Sequence, residues 1–190
     1  MNVDKRLQLL LDKTEICETL DRWCMALDRL DGERLISCFH PDARIEQWTS
    51  RDASGAPIVV QLGGPAELAA RALPKTGEYF ELTHYFIGST RIEVKGDRAR
   101  SECYFLGPKV YRERGSDPRQ LRFAGGRYLD DFELRNEQWR ISRRIVITDW
   151  AVHVPLPDRD TAAFKVMPTA ESAILRRDRT DPSFQFWSGW

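Results

Sequence analysis

The stretch CMALDRLDGERLISCFHPDARIEQW, residues 24–48, holds the end of one helix, a short second helix and the first strand of a sheet. Upstream of it, apolar residues recur at helical intervals between Val3 and about Leu30, which predicts a long amphipathic helix with one buried side. This apolar stripe reaches Asp28, and a carboxylate is costly to bury unless a partner satisfies it. The spacing allows Asp21 equally well, and it also allows a helix-end acid that stays in solvent or caps the next helix.

The segments that follow this stretch predict a sheet of mainly antiparallel strands. ARIEQW alternates as a strand, PIVVQL is its expected hairpin partner, and GPAELAARAL forms a third helix. Longer strands are expected over residues 82–94, 99–111, 121–134 and 139–152, with turn-forming residues between them. Helices followed by an antiparallel meander indicate the α+β fold class.

Composition and charge narrow the range of functions. At 190 residues and 42% hydrophobic content, the chain suits one domain with a core large enough to enclose a small ligand. The 29 basic and 29 acidic side chains balance, and no basic stripe interleaved with aromatics indicates a nucleic-acid partner. No run approaches the roughly 18 to 20 apolar residues of a membrane span, and MNVDKRLQLL lacks the apolar run of a signal peptide. We therefore expect a cytoplasmic protein with no nucleic-acid or membrane partner.

The C-terminal residues 155–190 differ in composition from the rest of the chain. They are rich in Asp, Arg and Pro, yet they carry large apolar side chains, which argue against a free tail. We expect residues 1–154 to form the folded domain and residues 155–190 to pack on its barrel mouth or on a neighbouring subunit. The side chains behind this expectation are Phe164, Val166, Met167, Phe184, Phe186, Trp187 and Trp190.

One histidine is predicted to face the core. Strand alternation places His84 on the same face as the apolar residues Leu82, Phe86, Ile92 and Val94. A buried histidine needs a hydrogen-bond partner, and a satisfied core histidine is one interpretation. The other is that Asp28, on the covering helix, orients His84 as a general base.

Other side chains and motifs give weaker indications of function. The last predicted strand carries Arg143 and Arg144 side by side, so one of them faces inward unless both lie on the surface, and alternation does not decide which. His40 and Asp42 point the same way but lack further ligands nearby, so no metal site is predicted. The sequence has no GxGxxG, Walker or GxSxG motif, so no nucleotide cofactor is expected.

Three segments resemble the SnoaL-like branch of the nuclear transport factor 2 (NTF2-like) superfamily. They are ICETLDRWCMALDRLDGERLISCFHPDA, THYFIGSTRIEVKGDRARSECYF and GGRYLDDFELRNEQWRISRRIVITDW, and the resemblance spans about residues 8–152. It implies an NTF2-like cone, in which a curved antiparallel sheet wraps around the long N-terminal helix and encloses an apolar pocket.

Within this branch the chain resembles the dehydratase and dehydrochlorinase-like members, which include scytalone dehydratase, bile-acid 7α-dehydratase and hexachlorocyclohexane dehydrochlorinase. The resemblance implies that Asp28 on the first helix and His84 at the start of the long strand are catalytic. It also selects Arg144, through the W-x-x-x-x-R spacing of the last strand. Trp23 stands where some of these dehydratases have a tyrosine. The segment SECYFLG has no histidine where scytalone dehydratase has its second one, which argues against that substrate.

The implied function is a cofactor-independent lyase that eliminates water or a halide from a small apolar cyclic, steroid-like or aromatic substrate. His84 would remove a proton from carbon, Asp28 would stabilise the imidazolium, and Arg144 would assist the leaving group. An isomerase of the ketosteroid type would use the same pair, and a dioxygenase-subunit-like or ligand-binding module would need neither residue.

The resemblance also implies partners for the protein. We expect a homo-oligomer, with a trimer favoured, and an apolar small-molecule substrate. No cofactor and no metal are expected. The aromatic residues predicted to contact substrate are Trp23, Tyr85, Phe86, Tyr104 and Trp150.

Overall fold

The computed structural model of the chain describes residues 3–112, 119–156 and 176–188. Helices lie mainly in the N-terminal part of these residues and a long run of strands follows them, as the α+β prediction requires. In chain order the elements are α1 (Val3–Arg29), α2 (Gly32–Ser37), β1 (Phe39–Arg51), β2 (Pro57–Gly63), α3 (Pro65–Tyr79), β3 (Phe80–Thr83), β4 (Phe86–Lys95), β5 (Arg98–Tyr111), β6 (Gln120–Arg135), β7 (Gln138–Pro155) and α4 (Pro182–Phe186).

The sheet has the strand order β2-β1-β7-β6-β5-β3, and β4 also pairs with β5. β1 and β7 run parallel, and the other described pairings are antiparallel. β3 and β4 pair with successive parts of β5, so the strand predicted over residues 82–94 is interrupted at His84 and Tyr85. The predicted α+β fold, with a long N-terminal helix on a mainly antiparallel sheet, is confirmed.

One face of the sheet, here called the inner face, packs against α1 and forms the core. Burial of apolar side chains of this size contributes roughly 1.5–3 kcal/mol each. The large side chains of this core include Ile16, Leu20, Trp23, Leu35, Phe39, Ile45, Phe105, Tyr128, Phe132, Trp139 and Ile141.

The N-terminal part of α1 extends beyond this core. Leu7, Leu10 and Leu11, which the periodicity places in the buried stripe, are 54%, 62% and 49% exposed, and the buried stripe begins at Ile16. A 27-residue helix is about 40 Å long, and its buried residues all lie between Ile16 and Asp28. Among the described helices, none combines the length and apolar character that a bilayer crossing requires.

Register irregularities in β4 and β7 change which residues face inward. In β4 the pairing with β5 shifts between Gly88 and Arg91, where Ser89 adopts a left-handed φ of 50°. In β7 the register with β6 places Arg143 opposite Asp131 but Ile141 opposite Phe132, which leaves Ser142 as an extra residue. Strand alternation reverses across such bulges.

Candidate functional site

The Asp28 carboxylate is buried at the C-terminal end of α1, with 8% of the residue exposed. Its Oδ1 accepts a hydrogen bond from the Thr83 hydroxyl (3.1 Å), and its Oδ2 accepts one from the backbone N–H of Tyr85 (3.1 Å). Asp21, which the periodicity also allowed, is exposed. The N-cap of α2 is Asp31, so Asp28 is neither a cap nor a solvent-facing acid.

Burial sets the proton affinity of this carboxylate. Removal from water raises the pKa of Asp28, while the hydrogen bonds from Tyr85 and Thr83 and the nearby charges of His84 and Arg29 lower it. The net pKa lies above the ordinary value of an aspartate, because desolvation outweighs these partners. Asp28 is therefore a buried acid whose charge a nearby cation would stabilise.

His84 is exposed, so its predicted place on the core face is wrong, and so is its interpretation as a core histidine. The strand break and the bulge at Ser89 are the reason, because the alternation that puts Ile92 and Val94 inward does not extend back through them. Thr83 is the buried residue instead. Within the part of the chain that the structure describes, no hydrogen bond joins His84 to Asp28.

The backbone of His84 nevertheless lies beside Asp28. Tyr85 N is 3.1 Å from Asp28 Oδ2 and two covalent bonds from the His84 Cα. Standard backbone bond lengths therefore place that Cα within about 6 Å of the carboxylate. The His84 charge also lowers the pKa of Asp28, as expected for groups this close.

Arg144 is fully buried on the inner face and forms a two-pronged ion pair with Asp130 on β6. Arg144 Nε and Nη2 each donate to one carboxylate oxygen of Asp130 at 2.7 Å. Burial alone would lower the pKa of Arg144, but the charge and hydrogen bonds of Asp130 raise it above its ordinary value. Arg143 faces the opposite side of the sheet and pairs with Glu46 at 3.0 Å. The inward arginine is therefore Arg144.

Aromatic rings surround the Arg144 guanidinium. Its central carbon lies 4.6 Å from the Trp23 ring, 4.4 Å from the Tyr128 ring and 5.6 Å from the Phe39 ring. Its Nη1 is buried and has no hydrogen-bond partner among residues 3–112, 119–156 and 176–188. The enclosure thus contains a positively charged N–H donor for which the described residues supply no acceptor.

Cys24 is a buried thiol on the same helix as Asp28. It lies one helical turn before Asp28 on α1, and burial raises the pKa of its thiol to about 12. The Arg144 charge lowers this pKa and the Asp28 charge raises it, so both groups lie close enough to act on the same thiol. Residues four positions apart on a helix share a side, so Cys24 and Asp28 lie on one side of α1, and the Arg144 guanidinium lies 4.6 Å from the ring of Trp23 on the same helix.

The aromatic residues predicted to contact substrate divide between the two faces of the sheet. Trp23 is part of the core and is 5% exposed, and Tyr85 is half-buried and packs against this core. Phe86, Tyr104 and Trp150 are exposed and lie on the outer face, so the structure does not place them near Arg144. Tyr104 faces outward because side chains alternate along a strand, and its neighbours Cys103 and Phe105 point into the core.

The exposed aromatics line a depression of about 560 Å³ on the outer face, here called the outer groove. Its side chains include Phe86, Tyr104, Leu106 and Trp150. Each of these four residues is more than 40% exposed. The outer groove is thus an apolar surface on the side of the sheet opposite to Arg144.

The residues weighed as metal ligands have other partners. His40 Nε2 lies 2.9 Å from the backbone oxygen of Glu133, and Asp42 pairs with Arg135 at 2.8 Å. The described residues contain no group of three or more His, Cys, Asp or Glu side chains that could hold a metal ion.

Residues 176–188, here called the C-terminal clasp, contact the ends of α1 and α2. Arg177 donates hydrogen bonds to the backbone oxygens of Leu27 (3.3 Å), Asp28 (3.1 Å) and Phe80 (3.0 Å), and to the Thr83 hydroxyl (3.0 Å). These contacts could not be predicted from the sequence, because nothing local to Arg177 identifies acceptors that lie between 94 and 150 residues earlier. Thr83 and Asp130 were also missed.

Asp181 anchors the clasp to α1. It is 4% exposed, accepts a hydrogen bond from the backbone N–H of Arg176 (3.0 Å) and pairs with Arg29 (3.1 Å). Burial alone would raise the pKa of Asp181, but the hydrogen bonds from Ser183 and Arg176 and the Arg29 charge lower it to about 2.

Asp181→Asn is expected to loosen the clasp at neutral pH and to have little effect near pH 2. A lowered carboxyl pKa stabilises the folded state above the ordinary value near 4, and the contribution disappears as the pH falls toward 2. At neutral pH it amounts to about 2 kcal/mol. Hydrogen exchange of residues 176–188 at pH 7, 4 and 2.5 measures the effect. Asp178→Asn is the control, because the side-chain hydrogen bonds of Asp178 to Thr180 stay within the clasp. Equal exchange in both variants at pH 7 would contradict the prediction.

The tail aromatics are only partly within the described residues. Phe184 lies under the guanidinium groups of Arg34 (5.4 Å) and Arg179 (5.1 Å), whereas Phe186 and Trp187 are exposed. The predicted contacts of Phe164, Val166, Met167 and Trp190 lie outside the described residues.

The chain resembles known proteins in both sequence and fold. The sequence model of the SnoaL-like domain matches residues 8–145. An uncharacterised protein of Mycobacterium tuberculosis strain H37Rv is 28% identical over 134 residues, which cover 70% of this chain and 83% of that protein.

Solved structures show the same fold at low sequence identity. A hexachlorocyclohexane dehydrochlorinase from Novosphingobium barchaimii LL02 superposes with a TM-score of 0.62 at 16% identity, covering 80% of this chain and 99% of that one. A scytalone dehydratase candidate from Novosphingobium aromaticivorans DSM 12444 gives 0.56 at 18% identity, covering 80% and 96%. The predicted NTF2-like fold of the SnoaL branch is therefore confirmed.

Proposed function

Because the chain belongs to the SnoaL-like domain family, we propose that it is a cofactor-independent lyase that eliminates water or a halide from a small apolar cyclic substrate. Proteins of the same fold carry names that denote loss of hydrogen chloride and of water. The observation that carries the proposal is the buried Asp28 carboxylate, held by the residues on either side of His84.

In the proposed reaction, the neutral His84 imidazole removes a proton from a substrate carbon. The electrons of that C–H bond form the carbon–carbon double bond, and the leaving group on the adjacent carbon departs with the electrons of its own bond. The imidazolium that results is stabilised by the Asp28 carboxylate. This step requires the exposed His84 ring to turn toward Asp28 by a change of rotamer.

Arg144 is proposed to assist the departing oxygen or halide. Its Nη1 has no partner in the described residues, and a charged donor in a buried site of low dielectric strongly stabilises developing negative charge. Trp23 and Tyr85 are the proposed apolar contacts of the substrate ring, since both belong to or pack on the inner-face core. Because Arg144 is fully buried, the surrounding rings must move apart before a substrate can reach it.

A substrate panel in D₂O with EDTA present separates this function from its alternatives. The panel contains hydroxylated and chlorinated rings and unsaturated ketosteroids, each followed by mass spectrometry and chloride release. Elimination gives an alkene that has lost water or hydrogen chloride. A product of unchanged composition with a shifted double bond would instead indicate an isomerase, and a thermal shift without product would indicate a binding module. Activity that EDTA abolishes would contradict the proposal.

We also propose that the protein forms a homo-oligomer, with a trimer favoured. The support comes from apolar surfaces that a monomer leaves in water. One is the N-terminal half of α1, where Leu7 and Leu10 are more than half exposed, and the other is the outer groove. Large apolar patches of this kind are typical of protein interfaces.

Light scattering at micromolar concentration is expected to give three times the chain mass of 22.0 kDa. Charge placed in a buried interface is strongly unfavourable, so Leu7→Glu combined with Tyr104→Glu is expected to reduce the mass. Lys5→Glu is the control for added charge near the end of α1. A monomer in the unsubstituted protein would contradict the proposal.

A further inference from the structure

The C-terminal clasp places a guanidinium against the part of the fold that holds Asp28. Arg177 Nε and Nη2 donate to the Asp28 and Leu27 backbone oxygens in the last turn of α1. The last carbonyls of a helix lack partners within the helix and carry partial negative charge, so a cation there is favourable. Arg177 thus caps α1 at the residue that bears the proposed catalytic carboxylate.

The same guanidinium also orients the donor that binds this carboxylate. A threonine hydroxyl has one hydrogen to donate and can accept bonds through its lone pairs. Because Thr83 Oγ1 accepts from Arg177 Nη2 (3.0 Å), its own hydrogen is directed toward Asp28 Oδ1 (3.1 Å). Arg177, Thr83 and the Asp28 carboxylate therefore form a chain of hydrogen bonds with one direction.

The clasp is anchored to α1 and β3, so Arg177 has a defined position beside Asp28. Asp181 is buried and pairs at 3.1 Å with Arg29, the residue next to Asp28. Arg177 Nη1 also bonds the Phe80 oxygen at the start of β3, so one side chain joins α1 to β3. The anchor at Asp181 and the bonds of Arg177 itself hold this part of the clasp against α1 and β3.

We infer that Arg177 is a positioning residue for Asp28, acting through Thr83 and the end of α1, so that the C-terminal clasp completes the active site. The inference rests on the proposed function, in which Asp28 stabilises the His84 imidazolium. It extends the site to residues outside positions 8–145, the part of the chain that matches the SnoaL-like domain.

The test compares Arg177→Met, Arg177→Lys and Thr83→Val with the control Arg179→Met, which removes an exposed arginine of the same clasp. The first readout is the pKa of Asp28, measured by NMR of protein labelled with ¹³C in the aspartate carboxyl groups. Arg177→Met and Thr83→Val are expected to raise it further, Arg177→Lys to raise it less, and Arg179→Met to leave it unchanged.

The second readout is the kinetics on a substrate found by the panel. Misplacement of a catalytic group by about 1 Å can cost 10²-fold, so kcat of Arg177→Met is expected to fall about 10- to 100-fold with little change in KM. The acid limb of its pH profile is expected to move upward with the pKa of Asp28. Arg177→Lys is expected to recover part of both effects.

The outcomes separate this inference from the proposed function. An unchanged pKa of Asp28 in folded Arg177→Met, Arg177→Lys and Thr83→Val would overturn the inference whatever the kinetics. A shifted pKa in a protein without elimination activity would overturn the proposed function and leave Arg177 as the residue that holds Asp28. If Arg177→Met does not fold, Arg177→Lys and Thr83→Val decide the result.

Discussion

Asp130→Ala is expected to destabilise the folded protein by roughly 3–5 kcal/mol, because it leaves a fully buried guanidinium without its counter-charge. Asp130 and Arg144 are both inaccessible to solvent and share two hydrogen bonds of 2.7 Å. Urea denaturation gives the free energy of unfolding of each variant. The matched control is Asp131→Ala, since Asp131 is the next residue and its pair with exposed Arg100 is worth at most about 1 kcal/mol.

A double variant shows whether the loss comes from the unpaired charge. Replacing a buried ion pair by apolar side chains is often neutral or stabilising. Asp130→Leu combined with Arg144→Met is therefore expected to be more stable than Asp130→Ala, although it removes more polar contacts. A double variant as unstable as the single one, or an Asp130→Ala loss below about 1 kcal/mol, would contradict this account.

His84→Ala is expected to lower the rate of elimination about 10²–10⁴-fold, the usual contribution of a general base. The same substitution is expected to change the free energy of unfolding by no more than about 0.5 kcal/mol, because His84 is exposed and surface substitutions rarely cost more. Initial rates per folded molecule and melting curves on one preparation measure both effects.

His153→Ala is the matched control for this substitution. His153 is also exposed, and its ring stacks on Tyr111 at 5.8 Å. Its removal is expected to leave the rate unchanged. If both histidine variants turn over substrate as fast as the unsubstituted protein, His84 is a surface residue and the elimination mechanism is wrong.

Local patterns were sufficient for most elements of the fold. Helical and strand periodicities placed the long helix and strands β5, β6 and β7 close to their observed bounds, because a buried face imposes its period on the sequence. The strand predicted over residues 82–94 is instead divided between β3 and β4. Hairpin turns also have local signatures, which explains the correct pairing of β1 with β2. These features depend on neighbours a few residues apart.

The candidate site was harder to predict because it depends on bulges. Ser142 is an extra residue in β7, so Ile141 and Arg144 both face inward, which strict alternation forbids. The bulge at Ser89 also reverses which residues face inward, so strict alternation predicted the wrong face for His84. A cross-strand signal was available for Asp130, because LDDF on β6 lies opposite SRRI on β7 and matches two acids to two arginines.

The parallel pairing of β1 with β7 also sets an order of assembly. Ile45 pairs with Arg144, whereas β6 and β7 are joined by a short turn, and closing the longer loop costs more entropy. Contacts between distant residues form late and slow the folding of the whole chain. During synthesis the N-terminal half emerges first, so the edge of β1 that pairs with β7 has no partner until β7 has been made. The sheet can become continuous only after residues 141–147 have been made, which places completion of the fold after most of the chain has been translated.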